Sequence, residues 1–509
     1  MHLTRWMTGL AGVVLLTTAA CGGGEGVDVN GGGGGDSGGE LVAAISAEPD
    51  QLDPHKTTAY ASFQVLENVY DTLVQPDENL DMAPALAESW ETSDDQLTWT
   101  FTLREGVTFH NGDELTADDV VYSYNRIIDE ELANAYRFAA IESVEAVDDL
   151  TVEITVKEPA PNLLAQIGAF KGMAIVHEEN VTSGDVTRNP IGTGPFKMEN
   201  YRSGDSITLT ANEDYWDGAP NLGSVRYTFV SEPSVALANL QSGEVQWSDN
   251  LPPQQVESLE GGDDLEVGRV PSNDYWYFAT NQARKPFDDP RVRQALAWAI
   301  DREAITQAAK FGLATVNQTA IPETSAWYYD YAPYEQDADR ARQLLQQAGA
   351  GNLSIDMMVT NEFPETIQAA QVMAAQLDEV GVNLNIRTED FATWLDEQSQ
   401  GNFDAFMLGW LGNIDPDDYY YSQHHSSGSN NYQEYENPEL DDLLDRARTE
   451  TDEDARKDLY DQAAKIIVDD ASYTYLYNPE VVQGWSPDLD GYEVRGDRAI
   501  RFHETSLSN

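Results

Sequence analysis

The chain has 509 residues, of which 89 are acidic and 29 basic, for a formal net charge of −60. That balance excludes nucleic acid and anionic membrane surfaces as natural partners, and an aromatic content of 10% argues for a packed protein rather than an acidic disordered one. A single cysteine, Cys21, excludes any disulfide within the chain.

The N-terminus reads as a secretory signal over 1–20: Arg5, then the apolar run MTGLAGVVLL, then the small residues TTAA. The run is too short to span a bilayer, which takes about 20 residues. Cys21 follows directly, in a setting that resembles a lipobox, although Thr18 stands where leucine is usual and Leu16 lies two places further back. Lipidation of Cys21 is the expectation; ordinary secretory cleavage beside an incidental cysteine is the alternative. Residues 21–39 form a glycine-rich linker with 11 glycines, a flexible coil of roughly 20–25 Å reach. No GK[ST] follows these glycines, so they are not a phosphate loop. About 470 residues remain, enough for two or three domains. A charge of −60 on a secreted protein fits a halophilic setting, because the Debye length falls to about 3 Å at 1 M salt.

Residues 97–112 alternate from Leu97 to Leu103, turn at Arg104-Glu105-Gly106 and resume at Val107 and Phe109, which predicts a hairpin. Thr116 and Asp119 then form a capping-box pattern. It leads a helix whose inner face is Val120, Val121, Tyr124, Ile127 and Ile128. TVEITVKEP (151–159) is a strand ended by proline, and GDSI (204–207) is a hairpin turn before ITLTA. FDDPRVRQALAWAIDREAI (287–305) predicts one helix, capped by Asp288 or Asp289 with Pro290 in its first turn. Helices follow at 338–349 and 365–381, stopped by Gly349 and Gly381, and the second runs into the alternating strand VNLNIR. Two further helices, 437–449 and 452–470, precede the strand SYTYLY. The pattern is α/β, with mixed sheets covered by helices in more than one lobe.

Signals for catalysis are thin. There is no G-x-S-x-G and no H-E-x-x-H. His424-His425 is the only histidine pair, and on a strand the two side chains point apart. Asp415, Asp417 and Asp418 could gather a cation, but an acidic loop in an acidic protein reads as solvated surface. The expectation is a protein that is not an enzyme and carries no cofactor or metal.

Several stretches occur together: LDPHKTTAYASFQVLENVYDTL (52–73), PALAESWETSDDQLTWTFTLREGVTFHNGDELTADDVVYS (84–123), NPIGTGPF (189–196), ANEDYWDGAP (211–220), NLQSGEVQ (239–246), PFDDPRVRQALAWAIDRE (286–303) and GWLGNIDPDDYYY (409–421). In this order they resemble the peptide/nickel-type (family 5) solute-binding proteins of ABC importers, over the whole mature chain. The resemblance implies a two-lobed, periplasmic-binding-protein-like fold with three domains. Domain I would take 40–74, 192–271 and 480–509, an inserted domain II 75–191, and domain III 272–479. It implies a monomeric receptor on the outer face of the cytoplasmic membrane, held there only by its lipid anchor. The receptor would pass a ligand to ABC permease subunits. A short peptide is the first expectation for the ligand and an oligosaccharide or other polar solute the second; a secreted hydrolase is the rival class. NPIGTGPF would be structural.

Peptide binders of this family often hold the ligand ammonium with a carboxylate just after a Gly-Trp motif. Here Gly409 and Trp410 are present, but Asn413 stands in place of that aspartate, and the stretch before Asp415-Pro416 is one residue shorter. Either Asp415 takes the role or the ligand offers no ammonium there. Local alignment also carries over Tyr60, Tyr136, Asp249 and Tyr275 as cleft residues. Together with Trp410, these tyrosines offer large rigid contacts with few polar demands.

Overall fold

The stretch SYTYLY grows into a twelve-residue strand, Thr474–Trp485, that belongs to both halves of the protein. In the computed structural model, which describes residues 38–170, 172–262, 264–411 and 414–508, this strand lies in the middle of a twelve-stranded mixed sheet. Its first part runs antiparallel to Tyr275–Thr280, with Trp276 opposite Tyr477 and Phe278 opposite Thr474. Its second part runs antiparallel to Glu266–Pro271, with Pro271 opposite Glu480 and Glu266 opposite Trp485. The signal at 1–20, Cys21 and Asn413 lie outside the described residues.

On one side of the shared strand the sheet continues through Tyr275–Thr280, Ala405–Trp410, Leu353–Thr360 and Val382–Glu389. Leu353–Thr360 and Val382–Glu389 are parallel, joined by helix Pro364–Asp378. Gly381, at φ +84°, makes the turn between that helix and its strand where a side chain would strain. On the other side the order is Trp247–Ser248, Glu40–Ile45, Ser224–Phe229, Ser206–Ala211 and Phe196–Arg202. The turn at Gly204 closes the hairpin expected around GDSI. Each half has its own core. Leu41, Val65, Tyr227, Trp247 and Phe502 pack in the first. The second holds an aromatic cluster around Tyr275, Tyr277, Trp394 and Tyr473 and an aliphatic one around Leu296, Met357 and Met373.

A separate four-stranded antiparallel sheet, ordered Ala87–Thr92, Thr98–Leu103, Thr151–Val156, Ile141–Asp148, packs on helix Ala117–Asp129 around Phe101, Tyr124 and Ile154. The expected capping box starts that helix, with the Thr116 N–H donating to Asp119 Oδ2 at 2.9 Å. The expected hairpin at 97–112 does not form. Thr98–Leu103 is flanked by Ala87–Thr92 and Thr151–Val156, so both its edges are taken, and the return segment makes only the bridge Thr108 to Glu114. The helix expected over 287–305 is two helices, Pro290–Ala299 and Arg302–Lys310. Ile300 is extended, and Asp301 caps the second helix through the Ala304 N–H, as Asp289 caps the first through Arg291.

Two family-like stretches have structural work. In NPIGTGPF, Gly192 and Gly194 lie against the Val69 backbone so closely that a Cβ would meet it at 2.1 and 2.5 Å. In LDPHK, Asp53 makes a buried bidentate ion pair with Arg126 at 3.0 and 2.6 Å. His55 Nε2–H donates to the Ala174 carbonyl, and its Nδ1 accepts from Arg126. Burial holds His55 neutral, with its pKa lowered to about 4. Among the described residues no helix is long and apolar enough to cross a membrane.

Candidate functional site

The backbone crosses between the two halves at 271–275 and 477–480. Beside these crossings lies a cavity of about 630 Å³ with walls from both sides: Asn79, Arg495 and Gly496 on one, Trp327, Ile414 and Tyr419 on the other, and Asn273 at the crossing itself. A volume of this size is within the roughly 300–1,000 Å³ of small-molecule sites.

Two of the residues expected from the sequence come together in the first lobe, outside the set that lines this cavity. Tyr60 opens helix Tyr60–Leu66 and donates its hydroxyl to the Arg498 carbonyl at 3.3 Å. Asp249 follows strand Trp247–Ser248, and its Oδ2 accepts from Gln64 Nε2 at 2.6 Å. Asp249 Oδ1 is buried without a hydrogen-bond partner. Burial pushes this carboxyl up to about 6, against the opposing pull of the Gln64 bond. Arg498 was not foreseen. Its guanidinium pairs with Asp274 at 2.5 Å and stands 5.7 Å from the Tyr60 ring centroid. It has a left-handed backbone, φ +65°, uncommon for a residue with a side chain.

Three other expected residues lie apart from that group. Tyr275 is 1% exposed, its ring 5.6–5.8 Å from those of Tyr277, Tyr419 and Tyr475. It belongs to the second-half core, and of that cluster Tyr419 reaches the cavity. Trp410 ends strand Ala405–Trp410 directly opposite Tyr275 and is partly buried against the same core. Its neighbour Gly409 is required because a Cβ there would be 2.5 Å from the Trp276 ring. Tyr136, 52% exposed, sits on the four-stranded unit beside a smaller cavity of about 150 Å³.

Residues 415–418 are not solvated surface. Pro416–His424 is a helix, capped by Asp415 through the Asp417 N–H at 2.9 Å. Asp415, 6% exposed, also receives two hydrogen bonds of 2.7 Å from Arg456, so both its oxygens are engaged within the fold. Asp417 is buried against Arg448 and Tyr460, and burial pushes it up to about 7 despite the Arg448 charge. His424 and His425 lie at this helix's end rather than on a strand. His424 is fully buried between Ser472 and Tyr475, and that burial lowers it to about 3, keeping it neutral. No cluster of three or more metal-ligating side chains occurs among the described residues.

The family model for bacterial extracellular solute-binding proteins, family 5 (middle), matches residues 81–432. The chain is similar to the oligopeptide-binding protein AppA of Bacillus subtilis, 29% identical over 496 residues, covering 91% of this chain and 90% of the relative. It is also similar to the glutathione-binding protein GsiB of Escherichia coli O157:H7, 28% identical over 484 residues, covering 92% and 94%. A solved structure of the periplasmic binding protein DppA of Helicobacter pylori, in complex with the peptide STSA, superposes with a TM-score of 0.82. It is 28% identical and covers 93% of this chain and 99% of its own.

Proposed function

Because the chain belongs to the bacterial extracellular solute-binding proteins of family 5, we propose that it is an extracytoplasmic receptor that captures a short peptide between its lobes and delivers it to an ABC import permease. The observation that carries this reading is the 630 Å³ cavity walled by both lobes at the chain crossings. Binding rather than catalysis is its work, in keeping with relatives named as binding proteins.

In this reading the first-lobe group recognises the peptide's charges. Asp249 Oδ1, buried with no partner, takes the ligand ammonium, because a buried charge needs a compensating donor. Arg498, parked on Asp274, takes a ligand carboxylate. Trp327 and Tyr419 supply apolar walls of the cavity, and Tyr60 and Trp410 are read as further ligand contacts. Asp415 serves Arg456 and leaves the ammonium to Asp249; with Asn413 at the aspartate position, the Gly-Trp loop is read as neutral toward the ligand. Tyr136 and Tyr275 frame the lobes rather than the peptide. An oligosaccharide is the second reading, and the commitment of Asp415 to Arg456 is what favours it.

The reading extends to the rest of the chain. The separate cores support the three-domain division drawn from the sequence. A lipidated Cys21 with its glycine leash would keep a monomeric receptor near the permease, and the −60 charge suits a saline exterior. Native mass spectrometry of the purified protein, followed by calorimetric titration with peptide and sugar panels, tests it. Peptides bound one to one are expected; titration by sugars alone overturns the peptide, and binding of neither class overturns the receptor.

A further inference from the structure

The first turn of helix Pro416–His424 carries two carboxylates that reach to the four-stranded unit. Asp418 Oδ1 accepts from Gln166 Nε2 at 2.9 Å, and its Oδ2 lies 3.4 Å from Arg137 Nη1. Arg137 Nη1 also donates to Gln166 Oε1 at 3.3 Å, which orients that amide with its NH₂ toward Asp418. Asp417 Oδ2 accepts from Asn162 Nδ2 at 3.4 Å. On its own side Asp417 Oδ1 is held by Tyr460 at 3.2 Å and Arg448 at 3.1 Å, and the Arg448 guanidinium lies 3.8 Å from the Tyr421 ring centroid. The donors Arg137, Asn162 and Gln166 come from two neighbouring elements, the turn Ala135–Phe138 and helix Leu163–Gly168 with its preceding residue.

The chemistry of this seam suits a contact that opens. An apolar seam of the same extent would stay shut, because parting it exposes hydrophobic surface to water. Carboxylates, amides and a guanidinium exchange one another for water at small net cost. A cavity of about 150 Å³ lies at this seam, and Arg137, Asn162, Gln166, Asp417 and Asp418 all line it. The seam is also separate from the 630 Å³ cavity: the two share no lining residue.

We propose that Asp417 and Asp418, docked on Arg137, Asn162 and Gln166, form a latch that sets the balance between closed and open lobes independently of ligand contacts. The inference rests on the receptor reading. The latch fixes how often the empty receptor is already closed, and the apparent affinity for any ligand scales with that fraction.

The test uses the full chain carrying Cys21→Ser, with dyes on Val147→Cys in the four-stranded unit and Leu395→Cys in the second lobe, both exposed positions. Single-molecule energy transfer then reads the interlobe distance without ligand. Gln166→Ala should shift the closed-to-open ratio about tenfold toward open, the loss of one charge-assisted contact, and Asp418→Ala, which also removes the Arg137 pair, by at least as much. The double variant should exceed Asp418→Ala by little, because that single already removes the contact the two residues share. Gln166→Ala, a milder change outside the acidic turn, keeps the test valid if Asp418→Ala misfolds on a thermal melt. An unchanged distance distribution, effects that simply add, or a parent already wholly open would overturn the latch. Because no ligand enters this experiment, its failure leaves the receptor standing, whereas failure of every solute to bind removes the receptor while the distance distributions still report whether the seam opens.

Discussion

Replacing Asp415 by asparagine separates two uses of a carboxylate in one loop. Arg456 donates two 2.7 Å bonds to it and a third, of 3.0 Å, to the Ala447 carbonyl. The Arg456 side chain is 4% exposed, with the rings of Trp327 and Tyr460 each 5.1 Å from the guanidinium. Asparagine keeps the shape and can still cap the helix, so the change removes mainly the countercharge. Removing one partner of a buried pair costs about 3–5 kcal/mol. Asp417 also faces Arg456 and stays in place, so the lower end applies. A loss of about 3 kcal/mol lowers the folded-to-unfolded ratio of this lobe about a hundredfold. Urea unfolding followed by tryptophan fluorescence measures it. The double variant Asp415→Asn with Arg456→Met keeps the cap and removes the orphaned charge, so it should be more stable than Asp415→Asn alone. The reasoning fails if Asp415→Asn shifts the transition by less than about 1 kcal/mol yet abolishes ligand binding, for then the carboxylate serves the ligand.

Asp249, with its pKa raised to about 6, is ionised above that pH and neutral below it. Affinity for a peptide with a free amine should therefore fall about tenfold between pH 7 and pH 5 while that of its N-acetylated form stays level, and calorimetry showing parallel profiles would exclude this role. Cys21→Ser should leave the precursor uncleaved or release the protein to the medium; a variant that still fractionates with membranes refutes the anchor. Melting temperature should rise with salt from 0.01 M, where the Debye length is about 30 Å, toward molar concentrations, and a flat profile would argue against a surface adapted to salt.

Helix ends were readable wherever the cap lies next to the helix it serves. The Thr116–Asp119 capping box forms, and of the two aspartates before Pro290 it is Asp289 that accepts from the Arg291 N–H. The break at Ile300 was not readable, because Leu296, Ala299 and Ile300 keep helical phase while Asp301 starts a second helix. Partners far along the chain left no local trace. Arg126 is 73 residues from Asp53 and Arg456 is 41 from Asp415, and without those partners DPDD looks like ordinary acidic surface. Tyr60 and Asp249 came from resemblance rather than pattern. Arg498 had no signal at all, being one arginine in a C-terminal stretch whose partners, Tyr60 and Asp274, only the tertiary fold brings near.

Strand Thr474–Trp485 also has a meaning in time. It enters the chain almost last, yet Tyr275–Thr280 and Trp247–Ser248 both pair with it. Until residue 485 has emerged, neither half of the large sheet can be completed, and each presents an unpaired edge of the kind that recruits foreign strands. A chain threaded through a membrane from its N-terminus therefore stays incomplete in both lobes until its final segment arrives, which suits export in an unfolded state. For the same reason a chain cut short near residue 470 would lose not one lobe but the closing strand of both, and would meet the cell as an aggregation substrate rather than as half a receptor.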